Sequence, residues 1–174
     1  MDQTGQVDAV PQFPRWYAIR TRSRHEKKVA AQLAGRGIEP FLPLAKRWSR
    51  WKDRRQWIEV PLFPGYCFGR FGVEARALVL KAVGVVGLVG KGGVPEPVQD
   101  DEIEAVRRVV AGPLPYDPCP DLVEGRPVEV IRGPLMGVRG LLIRKDAKAR
   151  LLIVVNAIRQ GASLEIDAAD VAPL

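Results

Sequence analysis

Two hydrophobic patterns divide the chain. In the first, short extended runs alternate with helical ones up to about Val110; in the second, from Val128 on, extended runs stand alone. Trp16, Tyr17, Ala18 and Ile19 form an apolar run that reads as a strand. Val29, Ala30, Leu33 and Ala34 then recur at helix spacing, with Arg24, Lys27, Lys28 and Arg36 largely on the opposite side. Ser23 and Glu26 stand three apart, as a capping box requires, and Gly35 and Gly37 flank the helix end. His25 lies in the first turn and reads as a solvated or capping histidine. Residues 38–45 resume as extended chain, with Pro40 and Pro43 marking an edge or irregular strand.

A tryptophan-rich basic hairpin follows. A turn near Lys52-Asp53 sets Trp48 opposite Trp57, a stabilising aromatic pair, and Arg50 opposite Arg55, which repel unless an anion lies between them. Arg47, Trp48, Arg50, Trp51, Lys52, Arg54 and Arg55 are therefore candidates for nucleic-acid contact, through phosphates and base stacking. The alternative is a solvated hairpin whose tryptophans only close the turn.

Residues 59–71 are the most constrained stretch. Pro61 and Pro64 keep the backbone extended, and Gly65 marks a bend or bulge. Beyond it, Tyr66 and Phe68 fall on one face of a strand, and Cys67, Gly69 and Phe71 on the other. Two readings stand: a buried strand with core aromatics, or a kink that presents a ring-lined apolar depression to another protein.

The pattern continues with a short helix over 74–82, Leu78 and Val79 inward, and a valine-rich strand over 83–89. Lys91-Gly92-Gly93 lacks the further glycine, lysine and hydroxyl of a phosphate-binding loop. Asp100 or Asp101 is positioned to cap a helix that places Ile103, Val106, Val109 and Val110 on one face and turns Arg107 and Arg108 elsewhere. Residues 112–120 hold four prolines and read as a semi-rigid linker. Apolar runs around Val128, Leu141, Leu151, Leu164 and Val171, separated by turn residues, then predict a small all-β barrel.

Composition narrows the function classes. The 174 residues suit one or two small domains, and the net charge of +7 favours a polyanion or an acidic protein face as partner. No run approaches the roughly 18 apolar residues needed to span a bilayer. Cys67 and Cys119 lie far apart and out of metal-ligand spacing, as in a cytoplasmic protein with reduced thiols. With one histidine, no nucleophile–base pair and no cofactor fingerprint, the expectation is a non-enzyme without metal or cofactor.

The Trp16-Tyr17 strand, the Leu62-Phe63-Pro64-Gly65-Tyr66 kink and the segment between them resemble the N-terminal domain of NusG-family transcription elongation factors. The run from Gly125 to Gly140, with Gly133, Pro134, Gly137 and Gly140, is similar to a KOW motif; its glycines suit positive φ or close backbone approach. The compact hairpin and the approach to the kink look closer to RfaH-like specialised paralogues than to general NusG. Residues 1–13, polar and small with no periodicity, read as a disordered arm, and the resemblance implies an α+β N-terminal domain over 14–111, with a four-stranded antiparallel sheet and helices. A linker over 112–122 and a KOW (SH3-like) barrel over 123–174 complete it. It further implies a monomeric factor that docks on the β′ clamp coiled coil of RNA polymerase through Trp16, Phe63, Pro64 and Tyr66 and suppresses pausing or termination. The hairpin would meet upstream or non-template DNA, or nascent RNA, and the KOW domain a ribosomal protein or Rho. On this reading Phe63→Asp abolishes polymerase binding. The competing reading is a KOW-type RNA-binding or ribosome-associated protein.

Overall fold

The computed structural model describes residues 13–51, 54–121, 123–145 and 147–174. In chain order these form β1 (Arg15–Thr21), α1 (Glu26–Gly35), β2 (Glu39–Phe41), β3 (Leu44–Trp51), β4 (Arg54–Pro61), β5 (Tyr66–Phe71), α2 (Arg76–Leu80) and β6 (Val85–Leu88). Next come β7 (Gly90–Lys91), β8 (Val94–Pro95), β9 (Pro97–Val98) and α3 (Asp100–Ala111). The remainder is all strand: β10 (Tyr116–Cys119), β11 (Arg126–Val130), β12 (Arg139–Lys145), β13 (Lys148–Val155), β14 (Gln160–Glu165) and β15 (Val171–Pro173).

The first sheet runs β2-β5-β1-β6, with β9 also paired to β1, and every pairing is antiparallel. Strand alternation on β1 and β5 divides its side chains between two layers. Tyr17, Ile19, Cys67 and Phe71 face Val29, Leu33 and Val79 of α1 and α2. Trp16, Ala18 and Phe68 face the other way, toward Ile103, Val106 and Val109 of α3. The second sheet runs β10-β14-β13-β12-β11-β15, again antiparallel throughout. Tyr116–Cys119, inside the proline-rich segment, is an edge strand of this sheet. The chain is thus a mixed α/β fold with predominantly antiparallel strands.

Helix α3 joins the two sheets. It contacts β1 on one side and β13 on the other, and one continuous apolar cluster runs from Trp16 and Phe68 through α3 to Val128, Leu151, Ile153 and Leu164. Two arginines that helix periodicity turns away from the core make contacts on either side of α3, and Arg108 spans the junction. Arg108 donates to the carbonyls of Pro134 and Met136, both at 2.9 Å. Arg107 lies over the ring of Phe41, 4.9 Å from its centroid, and over Trp16 at 5.8 Å.

Several local expectations change. Neither the Ser23–Glu26 capping box nor the Asp100 or Asp101 cap forms: His25 and Gln99 occupy the N-cap positions of α1 and α3, without side-chain caps. Glu26 cannot complete a capping box with Ser23 because its carboxylate is buried elsewhere, against the Gly65 amide. Asp100, Asp101 and Glu102 instead fill the first turn of α3, where carboxylates suit the helix dipole. Val79 is buried as expected, but Leu78 is exposed, because α2 is too short to bury two neighbouring positions.

Candidate functional site

The kink is built by three backbone anchors. The Gly65 amide donates to Glu26 Oε1 at 2.8 Å, the Thr21 amide donates to the Gly65 carbonyl at 2.8 Å, and the Tyr66 amide donates to the Phe63 carbonyl at 3.1 Å. Gly65 has φ +83, a conformation that β-carbon sterics make costly for other residues. The start of α1 and the end of β1 therefore clamp one turn, so the kink is held rigidly. Beneath it, burial pushes the Cys67 thiol up to about 12, with the Glu26 carboxylate adding to the effect.

The four aromatic and proline candidates separate by depth. Phe63 is 1% exposed and meets Phe68 edge-on, with ring centroids 6.1 Å apart. Trp16 is 4% exposed, edge-on to Phe41 at 6.3 Å and covered by the Arg107 guanidinium. Pro64 is exposed and Tyr66 is half-buried. Only the outer half of the predicted depression is thus at the surface in this arrangement. Phe63→Asp would place a carboxylate among core rings, where an unpaired charge costs several kcal/mol, so loss of binding there would report unfolding.

The hairpin has the register that its sequence symmetry sets. Trp48 pairs with Trp57 and Arg50 with Arg55 across β3 and β4. The two indoles stack tilted at 37° with centroids 4.2 Å apart, yet stay 58% and 55% exposed. Arg47, Arg50, Arg54 and Arg55 are exposed on the same ribbon. The predicted contacts at Lys52 and at the Trp51 side chain lie outside the described residues. At the ribbon's base, the Tyr116 hydroxyl donates to the Leu44 carbonyl at 2.8 Å and ties it to the second sheet.

The four KOW-like residues lie on one loop and its exit strand. Gly133 and Gly137 have φ +82 and +85, and Pro134 is exposed between them. Gly140 has no such φ, but a β-carbon there would lie 2.6 Å from the Leu152 carbonyl oxygen. This loop is the one that Arg108 holds. Nearby, Asn156 hydrogen-bonds to the Glu102 carboxylate through its side-chain amide, closing the same junction from the other end of α3. Periodicity hid Glu102, Arg107 and Arg108, whose partners lie far away in sequence; the only available signal was that α3 is polar on a face that two domains could share.

An antiparallel α/β layer with a kink at Gly65 and a basic ribbon, joined to a strand-only second layer, makes a two-part fold. The family model described as "Transcription termination factor nusG" matches residues 14–107, which takes in the first sheet, the hairpin and the kink. The chain belongs to the NusG family. It is 24% identical over 174 residues to the transcription termination/antitermination protein NusG of Borreliella burgdorferi, covering 87% of this chain and 94% of that one. It is 25% identical to the same-named protein of Thermus thermophilus, with the same coverage. The solved structure of Thermotoga maritima NusG has the same fold, with a TM-score of 0.54, 24% identity, and coverage of 92% of this chain and 97% of that one. Its relatives' names make this chain a protein of transcription. Among the described residues, no helix is long and apolar enough to cross a membrane.

Proposed function

We propose that this chain is a transcription elongation and antitermination factor that binds RNA polymerase through the surface around its kink. The observation that carries the reading is the family match over residues 14–107, which spans the rigid turn at Gly65. Pro64 and Tyr66 form the outer contact, and Trp16 and Phe63 support it from within. The partner is an apolar helical element, for which the β′ clamp coiled coil is the specific candidate. Binding there stabilises one conformation of the polymerase, and the factor itself performs no chemistry. The hairpin faces upstream or non-template DNA, and residues 123–174 act as a KOW-type domain for a second protein, a ribosomal protein or Rho. The compact hairpin and the Leu62-Phe63-Pro64-Gly65-Tyr66 motif favour an operon-specific paralogue over a general factor.

Co-elution with core RNA polymerase at moderate salt tests this, with wild type beside Tyr66→Asp. Tyr66 is used because it is half-buried at the mouth, whereas Phe63 is core. Binding by wild type and loss in the variant, at unchanged melting temperature, is the expected result. The chain cut near Pro115 should bind at least as well, because α3 would then be relieved of the second sheet while the kink stays anchored to Glu26 and Thr21. If neither full chain nor cut chain bound, the polymerase reading would fail.

A further inference from the structure

The polar side of α3 and the second sheet enclose two adjoining cavities of about 330 and 560 Å³. Asp101, Glu102, Arg139 and Val154 line both, so the two are chambers of one groove. It follows α3 from Asp101 to Arg108, two turns or about 10 Å. Its floor is apolar. Val138 and Ile153 are buried beneath one chamber, and Leu141 and Val154 lie half-buried in the other. Val123 and Leu174 line that second chamber too, 47% and 65% exposed, and the Leu174 amide donates to the Pro127 carbonyl at 3.2 Å. The groove exists only where α3 meets the second sheet.

Its charge is opposite to that of the chain. The sequence has a net charge of +7. Five carboxylates nevertheless line the groove, Asp101, Glu102, Glu104, Glu124 and Glu129, against the guanidinium groups of Arg108 and Arg139. Both cations are already engaged: Arg139 pairs with Glu129 at 3.0 Å, and Arg108 donates to the Pro134 and Met136 carbonyls. Glu104 pairs with Arg107 at 3.9 Å. Among the described residues, Asp101, Glu102 and Glu124 have no ion-pair partner. Burial raises the Glu102 carboxyl above its ordinary value, so a cation brought to it would stabilise the charged form.

An apolar floor under a carboxylate rim selects its occupant. A polyamine would meet the carboxylates but leave Val123, Leu141 and Leu174 in water. An acidic or neutral segment would cover the floor and leave the carboxylates opposed or unpaired. A helix with lysines or arginines beside an apolar stripe satisfies both, and two of its turns match the length of the groove. We infer that this groove docks a basic amphipathic helix of a partner protein, its apolar stripe on Leu141, Val154, Val123 and Leu174 and its cations at Asp101, Glu102 and Glu124. The site uses neither the kink nor the hairpin, so it stands or falls apart from the polymerase reading.

The test is fluorescence anisotropy of the full chain with a labelled peptide of about 14 residues, roughly four helical turns, with leucines at helix spacing and lysines elsewhere. A glutamate/leucine peptide of the same pattern and a lysine/serine peptide of the same charge are the comparisons. The lysine/leucine peptide should bind about tenfold more tightly than either, or better. Asp101→Asn/Glu124→Gln should weaken it about two- to thirtyfold, an effect that shrinks as salt is added. Val123→Ser/Leu174→Ser, at two exposed positions, should weaken it about ten- to a hundredfold at any salt. Glu74→Gln/Glu96→Gln removes the same charge at exposed positions outside the groove and should change affinity less than about twofold. Failure of the lysine/leucine peptide to bind would overturn the assignment. So would equal binding of either comparison peptide or of spermine, groove variants that bind like wild type, or a Glu74→Gln/Glu96→Gln variant as weak as Asp101→Asn/Glu124→Gln.

Discussion

Gly137 and Gly140 lie three residues apart and should resist substitution for opposite reasons. At Gly137 the obstacle is the backbone. Its φ is +85 and nothing lies within 4 Å of a built β-carbon, while its amide donates to the Val130 carbonyl at 2.7 Å and fixes the turn. An alanine there meets no neighbour, only the left-handed penalty of about 1–2 kcal/mol. At Gly140 the obstacle is the adjoining strand. A β-carbon would sit 2.6 Å from the Leu152 carbonyl oxygen and 3.0 Å from the Ile153 and Leu151 Cδ1 atoms. The side chains could yield, but the carbonyl belongs to β13 and cannot move without disturbing its pairing with β12. Overpacking of this kind costs about 1–3 kcal/mol. Urea unfolding separates the two causes. Both alanine variants should lower the midpoint by roughly 0.5–1.5 M, given a slope of about 1–3 kcal/mol per molar. Asparagine then discriminates: it tolerates the left-handed region, so Gly137→Asn should recover part of the loss, whereas the bulkier Gly140→Asn should be worse than Gly140→Ala. If asparagine helped at both positions, or Gly140→Ala left the midpoint unchanged, the steric account of Gly140 would be refuted.

Two further outcomes follow from titratable groups. Burial raises the Glu102 carboxyl above its ordinary value of 4.5, outweighing the hydrogen bonds from Asn156 that lower it. The folded chain therefore holds that proton more tightly than the unfolded chain. Its contribution to stability is complete below 4.5 and is lost as pH rises through the folded value. Glu102→Gln, which keeps an acceptor for Asn156, should flatten stability against pH in that window and leave the neutral-pH melting temperature equal or higher. A variant curve that parallels wild type would remove Glu102 as the cause. For the thiols, Cys67 is fully buried and raised to about 12, while Cys119 is half-buried. An aromatic disulfide reagent should titrate one thiol rapidly in the native protein and the second only on unfolding; two rapid equivalents would contradict the packing around Cys67.

What could be read from the sequence was whatever depends on neighbours in the chain. The Trp48–Trp57 register follows from the symmetry of one hairpin about one turn, so counting residues finds it. The positive φ of Gly65, Gly133 and Gly137 follows from glycine at turn positions, and the buried stripe of α3 from its periodicity. What could not be read was decided by distant partners. Ser23 and Glu26 have the spacing of a capping box, yet Glu26 is drawn to the Gly65 amide, 39 residues away. Phe63 stands in the motif that suggests an exposed ring, yet β5 brings Phe68 against it and the ring is buried.

Helix α3 shows the same limit at the scale of the whole molecule. A helix on one sheet needs one apolar stripe, and Ile103, Val106 and Val109 supply it. The residues left over would ordinarily be assigned to solvent, and Glu102, Ala105, Arg107 and Arg108 carry no sequence mark to the contrary. In the fold, Glu102 and Arg108 reach the second sheet with polar side chains, at Asn156 and at the Pro134 and Met136 carbonyls. Each of these bonds exchanges with water at a net difference of about 1 kcal/mol or a little more, so they orient the junction while the apolar cluster through Val106 and Val109 supplies most of its burial. Arg107, lying over Trp16 and Phe41, extends the polar set to the first sheet.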